Sequence, residues 1–370
     1  VYEEAEAMHR RALEARENAL GREHPDTLTS VSDLGLVLSS QGKYDEAEAM
    51  HRRALEAREN ALGREHPDTL TSVSDLGNVL SSQGKYDEAE AMHRRALEAR
   101  ENVLGREHPD TLTSVSDLGN VLSSQGVYEE AEAMHRRALE ARENALGREH
   151  PDTLTSVSDL GNVLSSQGKY DEAEAMHRRA LEARENVLGR EHPDTLTSVS
   201  DLGNVLSSQG KYDEAEAMHR RALEARENVL GREHPNTLTS VNNLGLVLSS
   251  QGKYDEAEAI YLHDMEGSEK VLGCEHPNTV TSINNLGLVL SSQGNYDEGE
   301  AMHRRALEAR EKVLRREHPD TLTSVSTLGN VLSSQGKYDE AEAIYLHDME
   351  GSEKVLGCEH SGILASLNIR

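Results

Sequence analysis

Tyr44-Asp45-Glu46-Ala47-Glu48-Ala49-Met50, followed by His51-Arg52-Arg53-Ala54-Leu55, decides the fold. The stretch recurs along the whole chain. A tyrosine marks each copy: Tyr2, Tyr44, Tyr86, Tyr128, Tyr170, Tyr212, Tyr254, Tyr296 and Tyr338, always 42 residues apart. A fixed period of about 20 to 50 residues signals a solenoid, whose units bury their apolar faces only against one another. The period overrides the two or three domains that 370 residues would otherwise suggest. Residues 1–370 read as one repeat array with a truncated copy at each end.

One unit, from His24 to Gly63, shows the pattern. His24-Pro25-Asp26-Thr27 opens a first helix, A, with proline at its first position and an acid in its first turn. Leu28, Val31, Leu34 and Leu38 then fall on one helical face. Gly42 closes helix A, expected over 25–41, as a left-handed residue. Helix B starts at Tyr44 or Asp45, and its apolar stripe reads Tyr44, Ala47, Met50, Ala54, Leu55, Ala61 and Leu62 before Gly63 ends it. Glu48, Arg52 and Glu56 lie opposite, at the spacing of surface ion pairs worth about 0.3–0.5 kcal/mol each.

Gly35 sits inside helix A and recurs in every full copy, although glycine costs about 1 kcal/mol there against alanine. A repeated cost implies a repeated reason. The expected reason is close approach of helix B, with Ala47 and Ala54 facing the glycine.

Composition narrows the class. The chain has neither tryptophan nor phenylalanine, so Leu, Val, Ala, Met and one Tyr per copy must form the core. That suits closely packed helices better than strands. A balance of 39 basic against 67 acidic residues argues against nucleic acid and anionic membrane as partners. The longest apolar run, Leu34 to Leu38, is far short of a membrane span. Cys274 and Cys358 hold equivalent places two copies apart and do not pair. The opening residues do not read as a signal peptide, and there is no Asn-x-Ser/Thr sequon. A cytoplasmic protein is the expectation.

The copies differ in one instructive way. Residues 1–35 repeat as 127–161, and residues 254–275 repeat as 338–359, so whole blocks have been duplicated. In the second block Asp264 stands where Ala54 stands elsewhere. A looser contact is expected there, because a buried unpaired carboxylate is costly or stays protonated. The chain opens on a helix B without its A partner and closes on a stub of helix A, Gly362 to Leu367. Met8, Ala12 and Leu13 are therefore expected on an open face, and end-to-end self-association with them.

Leu34-Gly35, Gly42-x-Tyr44, Ala47 and Ala54-Leu55 together resemble the tetratricopeptide pattern across the whole chain. The extra length, Arg58 to Glu65, with Tyr-Asp-Glu-Ala-Glu, Arg-Arg-Ala-Leu-Glu and Leu-Gly-x-x-His-Pro, resembles the repeats of kinesin light chains. It resembles still more the kinesin-light-chain-like repeats of fungal NLR-type (STAND) receptors, in which near-identical copies are found. The resemblance implies an all-α, right-handed superhelical solenoid of antiparallel helix pairs. It also implies a recognition scaffold for protein or extended peptide: the ligand-sensing array of such a receptor, or a cargo adaptor. A structural or designed solenoid without a ligand is the remaining reading.

Chemistry of other kinds finds little support in the residues. One histidine per helix B, about 10 Å from its next copy by helix-packing distances, is too sparse for a metal site. The pair Asp45-Glu46 recurs in almost every copy, which reads as helix-dipole pairing rather than a catalytic dyad. No nucleophile with an adjacent base and no glycine-rich phosphate loop is present, so neither an enzyme nor a cofactor is expected.

The resemblance places the binding groove on helix A, at Thr29, Ser32, Asp33, Leu36, Ser39 and Ser40. Later copies carry Asp75 and Asn78, Asp117 and Asn120, Asp159 and Asn162, and Asp201 and Asn204. Asn242 and Asn243, then Asn284 and Asn285, follow, and Thr327 and Asn330 end the series. Asparagine both donates and accepts, so stacked copies suit the backbone of an extended peptide. No helix A carries lysine or arginine, so a neutral or basic peptide is expected.

Overall fold

The computed structural model describes residues 2–314, 316 and 318–345. Their regular structure is all helical, joined by short turns, with no strand among them. The chain forms two compact units, residues 1–218 and 219–370. The first holds α1 (Tyr2–Leu20), α2 (Pro25–Ser40), α3 (Tyr44–Leu62), α4 (Pro67–Ser82), α5 (Tyr86–Leu104), α6 (Pro109–Ser124), α7 (Tyr128–Leu146), α8 (Pro151–Ser166), α9 (Tyr170–Leu188) and α10 (Pro193–Ser208). The division falls inside α11 (Tyr212–Leu230). The second unit holds α12 (Pro235–Ser250), α13 (Tyr254–Leu272), α14 (Pro277–Ser292), α15 (Tyr296–Val313) and α16 (Pro319–Ser334). Within each unit, every helix packs on the next in the chain, and successive even-numbered helices from α2 to α10, and α12 with α14, also touch. This is the expected all-α solenoid of helix pairs. The stub at Gly362 to Leu367 lies outside the described residues.

Local chemistry sets the helix ends. Before α6, the Asp110 N–H donates to Nδ1 of His108, which holds extended backbone as the N-cap (3.2 Å). Proline follows at the first position, where no N–H is needed. At the other end of α2, Gly42 takes φ 77°, its N–H donates to the Ser39 carbonyl and that of Lys43 to the Leu38 carbonyl. This is the left-handed C-terminal motif expected of Gly42, one residue earlier than foreseen.

The buried face of α3 is Ala47, His51, Ala54 and Arg58, flanked by Leu55. It is rotated from the expected stripe: Ala61 and Leu62 are exposed in the last turn. Ionisable residues therefore occupy central positions that a search for apolar periodicity passes over. The opposite face does carry ion pairs. Arg52 bonds Glu48 at 2.7 Å, and Lys85 of the next copy bonds the same carboxylate at 2.6 Å.

Gly35 has the expected reason with a different neighbour. A Cβ there would lie 2.6 Å from the imidazole of His51. The fully buried ring, not Ala47 or Ala54, fills the space against the glycine. The same contact recurs as Gly77 on His93, Gly119 on His135 and Gly161 on His177. In the variant block Tyr261 replaces the histidine and lies on Gly245. Both ring nitrogens of His51 and His93 lack a hydrogen-bond partner. Burial accordingly pulls the six rings of His51, His93, His135, His177, His219 and His303 down to about 4. A base depressed on folding stabilises the fold above its unfolded value of 6.5 and loses that contribution as pH falls toward 4.

Asp264 does not loosen its surroundings as expected. Helix α13 is continuous, and it packs on both α12 and α14. The carboxyl is buried, accepts a hydrogen bond from the Ser282 hydroxyl, and leaves Oδ1 without a partner. Burial pushes it up to about 6. The α1 expectation also needs correction. Met8 is 73% exposed and Ala12 is exposed, but Leu13 is buried against α2 and α3 neighbours such as Val31 and Ala47.

Three outcomes follow from these contacts. Gly119→Ala should destabilise by about 1–3 kcal/mol in urea unfolding, since a rigid ring must move. Stability should fall as pH drops from 6.5 to 4, the histidine window. Asp264→Ala should act oppositely: a gain of about 3 kcal/mol at pH 7 that vanishes below pH 4, where the carboxyl is protonated in both states.

Candidate functional site

The even-numbered helices carry the sequence-predicted residues at one register. Asn78, Asn120, Asn162 and Asn204 are exposed on α4, α6, α8 and α10. No hydrogen bond among the described residues engages their side-chain amides. Asp75, Asp117, Asp159 and Asp201, one turn earlier, are half-buried. Thr29, Leu36 and Ser40 are exposed on α2, whereas Ser32 is buried. In the second unit Asn243 is half-buried and Asn285 is buried, with Nδ2 of Asn285 donating to Oδ1 of Asn242 at 2.8 Å. Asn284 is buried and pairs with Nδ1 of His303 at 3.0 Å. The first unit thus presents free amides, while the amides of α14 are tied into the structure.

Under the aspartates runs a column of buried arginines from the odd-numbered helices. Nη1 of Arg100 donates to Ser74 Oγ on α4 at 3.2 Å and to Ser114 Oγ on α6 at 2.5 Å. Arg142 bridges Ser116 and Ser156, and Arg184 bridges Ser158 and Ser198, in the same way. Each guanidinium therefore joins two successive even-numbered helices. Burial pushes Asp117 and Asp159 up to about 6. The flanking guanidiniums, Arg100 and Arg142 for Asp117 and Arg142 and Arg184 for Asp159, pull the other way. Asp75 is raised for the same reason, against Arg58 and Arg100.

In the first unit aspartate and arginine alternate. Asp75, Asp117 and Asp159 each lie between two arginines. In α13 the arginine position is held by Ser268, which is buried. The helices on either side of it, α12 and α14, carry Asn243 and Asn285 in place of aspartate. In the first unit the aspartate row thus supplies counter-charge to the arginine column, whereas Arg310, between Asn285 and Thr327, meets Asp320 instead. Sequence reasoning missed the arginines because it sought them on helix A. The signal was available: Arg58 follows His51 and Ala54 on one face of α3, and its loss accompanies loss of aspartate.

The face can hydrogen-bond a backbone and neutralise little charge. Among the described residues no group of three or more His, Cys, Asp or Glu lies together to hold a metal. No described helix is long and apolar enough to cross a membrane.

A tetratricopeptide repeat model matches in overlapping segments from residues 1–60 through 279–354. The chain belongs to the tetratricopeptide repeat family. Solved structures of similar fold include a Podosopora anserina putative kinesin light chain with nearly identical tetratricopeptide-like repeats, 23% identical. That match has a TM-score of 0.48 and covers 56% of this chain and 97% of that one. BtubC (BKLC) from P. vanneervenii is 25% identical over 64% of this chain and 94% of its own, with a TM-score of 0.51. The apo form of RapI is 15% identical over 77% and 98%, with a TM-score of 0.57. No curated protein matches the chain.

The coupling of the two charge rows is open to test by copying the chain's own variant. Arg142→Ser should destabilise by about 1–3 kcal/mol, because Ser116 and Ser156 lose a donor and two half-buried aspartates lose a counter-charge. Adding Asp117→Asn and Asp159→Asn should recover part of that loss, a non-additivity measurable by chemical denaturation of the three proteins.

Proposed function

We propose that residues 1–370 act as one non-enzymatic recognition array of 42-residue, kinesin-light-chain-like repeats. Its face of even-numbered helices holds an extended peptide. The observation that carries this reading is the row of exposed, unengaged amides at Asn78, Asn120, Asn162 and Asn204. A repeated donor–acceptor pair suits a repeated backbone, and exposed repeated faces are the usual binding surfaces of solenoids.

The half-buried carboxylates beside those amides favour a neutral or basic ligand, since like charges across an interface are costly. The arginine column moderates the effect, so basic residues are tolerated rather than required. The setting that fits best is the ligand-sensing segment of a cytoplasmic NLR-type receptor. Its support is the block duplication of residues 1–35 and 254–275, which rewrites a stretch of the array in one step.

A random peptide display library presented to the wild type and to Asp75→Asn/Asp117→Asn/Asp159→Asn/Asp201→Asn tests the ligand's sign. Neutral and basic peptides should be enriched on the wild type, with binding that weakens as salt rises, and the basic ones should fade on the variant. Acidic peptides on the wild type, or one preference for both proteins, would sink this assignment. The coding sequence upstream tests the setting: a nucleotide-binding domain is expected, and a heptad region would instead indicate a motor adaptor.

A further inference from the structure

The second unit presents a different surface at the register of the proposed groove. Helices α12 and α14 have no charged side chain between their first proline and last serine. The buried position between them that elsewhere holds arginine is Ser268. At the place of the exposed asparagines stand Leu246 and Leu288, 44% and 40% exposed. The two helices are in contact, so these leucines occupy equivalent places on neighbouring elements. Leu36 in the first unit is also exposed, but Asp33 is on the preceding turn and the next copy carries Asn78. Only on α12 and α14 do two leucines follow one another beside amides instead of carboxylates.

Three physical consequences combine. A cationic side chain placed here would lose hydration and find no carboxylate on either helix. An anionic one would lack the arginine that Ser268 replaces, Arg226 on the outer side of α12 being engaged by Ser240. An apolar side chain would cover two leucines that water now wets. The amide of Asn285 is fixed on Asn242, so the floor beside the leucines is preset rather than ordered on binding. We propose that the face of α12 and α14 takes an uncharged stretch of extended peptide carrying one large apolar side chain, seated across Leu246 and Leu288. The proposal rests on the even-numbered helices being the recognition face. It adds that this unit selects against charge of either sign.

The test uses the full chain and a random 12-residue peptide display library. The enriched pool is rebound to Leu246→Asn/Leu288→Asn and, separately, to Asn120→Ser/Asn162→Ser. Asparagine at the leucine positions is native to other copies, so the first variant retains the fold; circular dichroism checks this. The pool should contain peptides with a conserved Leu, Ile, Met or aromatic residue whose neighbours are uncharged. Their binding should fall at least tenfold on Leu246→Asn/Leu288→Asn. A pool that weakens on Asn120→Ser/Asn162→Ser but binds the leucine variant unchanged overturns this proposal and leaves the general reading standing. No enrichment on the wild type, or binding indifferent to both variants, overturns both.

Discussion

One guanidinium joined to two serines holds successive repeats in register. Arg142 reaches from α7 to hydroxyls on α6 and α8, so neither even-numbered helix can slide without breaking a buried, charge-assisted bond. Apolar contacts such as Leu118, Leu122 and Leu160 supply most of the burial but little direction. The arginine supplies direction, and its charge then demands an answer. Asp117 and Asp159 give it, from positions that also border the exposed face. The chemistry of the surface is thereby tied to the mechanics of the core.

The same economy governs contact inside a repeat. An imidazole laid on a bare Cα lets two helices approach more closely than two ordinary side chains would. The ring fills the gap without a voids penalty, yet it forgoes hydrogen bonds at both nitrogens of His51. That loss is tolerable only while the ring is neutral. Tyrosine at 261 keeps the same plane against Gly245 and carries its own orphan, the phenol oxygen.

Much of this was legible in the chain itself. The period, the helix order, the closing glycines and the small residues Ala47 and Ala54 all follow from spacing and turn chemistry, which are local. A half-buried His51 and a histidine at the helix start were expected. What escaped was the complete burial of His51, the burial of Arg58 and its copies, and the capping bond of His24. Ionisable residues are assigned to solvent by default, and only the packed partners, Gly35 and the paired serines, justify the exception. The candidate face was assigned to the even-numbered helices by family resemblance, and the sequence alone carries no local signal for it. The arginines that balance Asp117 and Asp159 were not foreseen beside it, because they come from the other helix of each pair.

The tie between arginine and aspartate also limits how such an array can be rewritten. The helix α13, with serine at the arginine position, lies between two helices that carry asparagine in place of aspartate. Asn243 and Asn285 stand on either side of Ser268, and Thr327 precedes the second copy of that helix. Exchange of one such helix into the first unit would leave each flanking aspartate with one arginine in place of two. Exchange of a segment long enough to include both neighbours would not. The array therefore has a grammar: the duplicated blocks are shorter than one repeat, and each must be read together with the residues that border it.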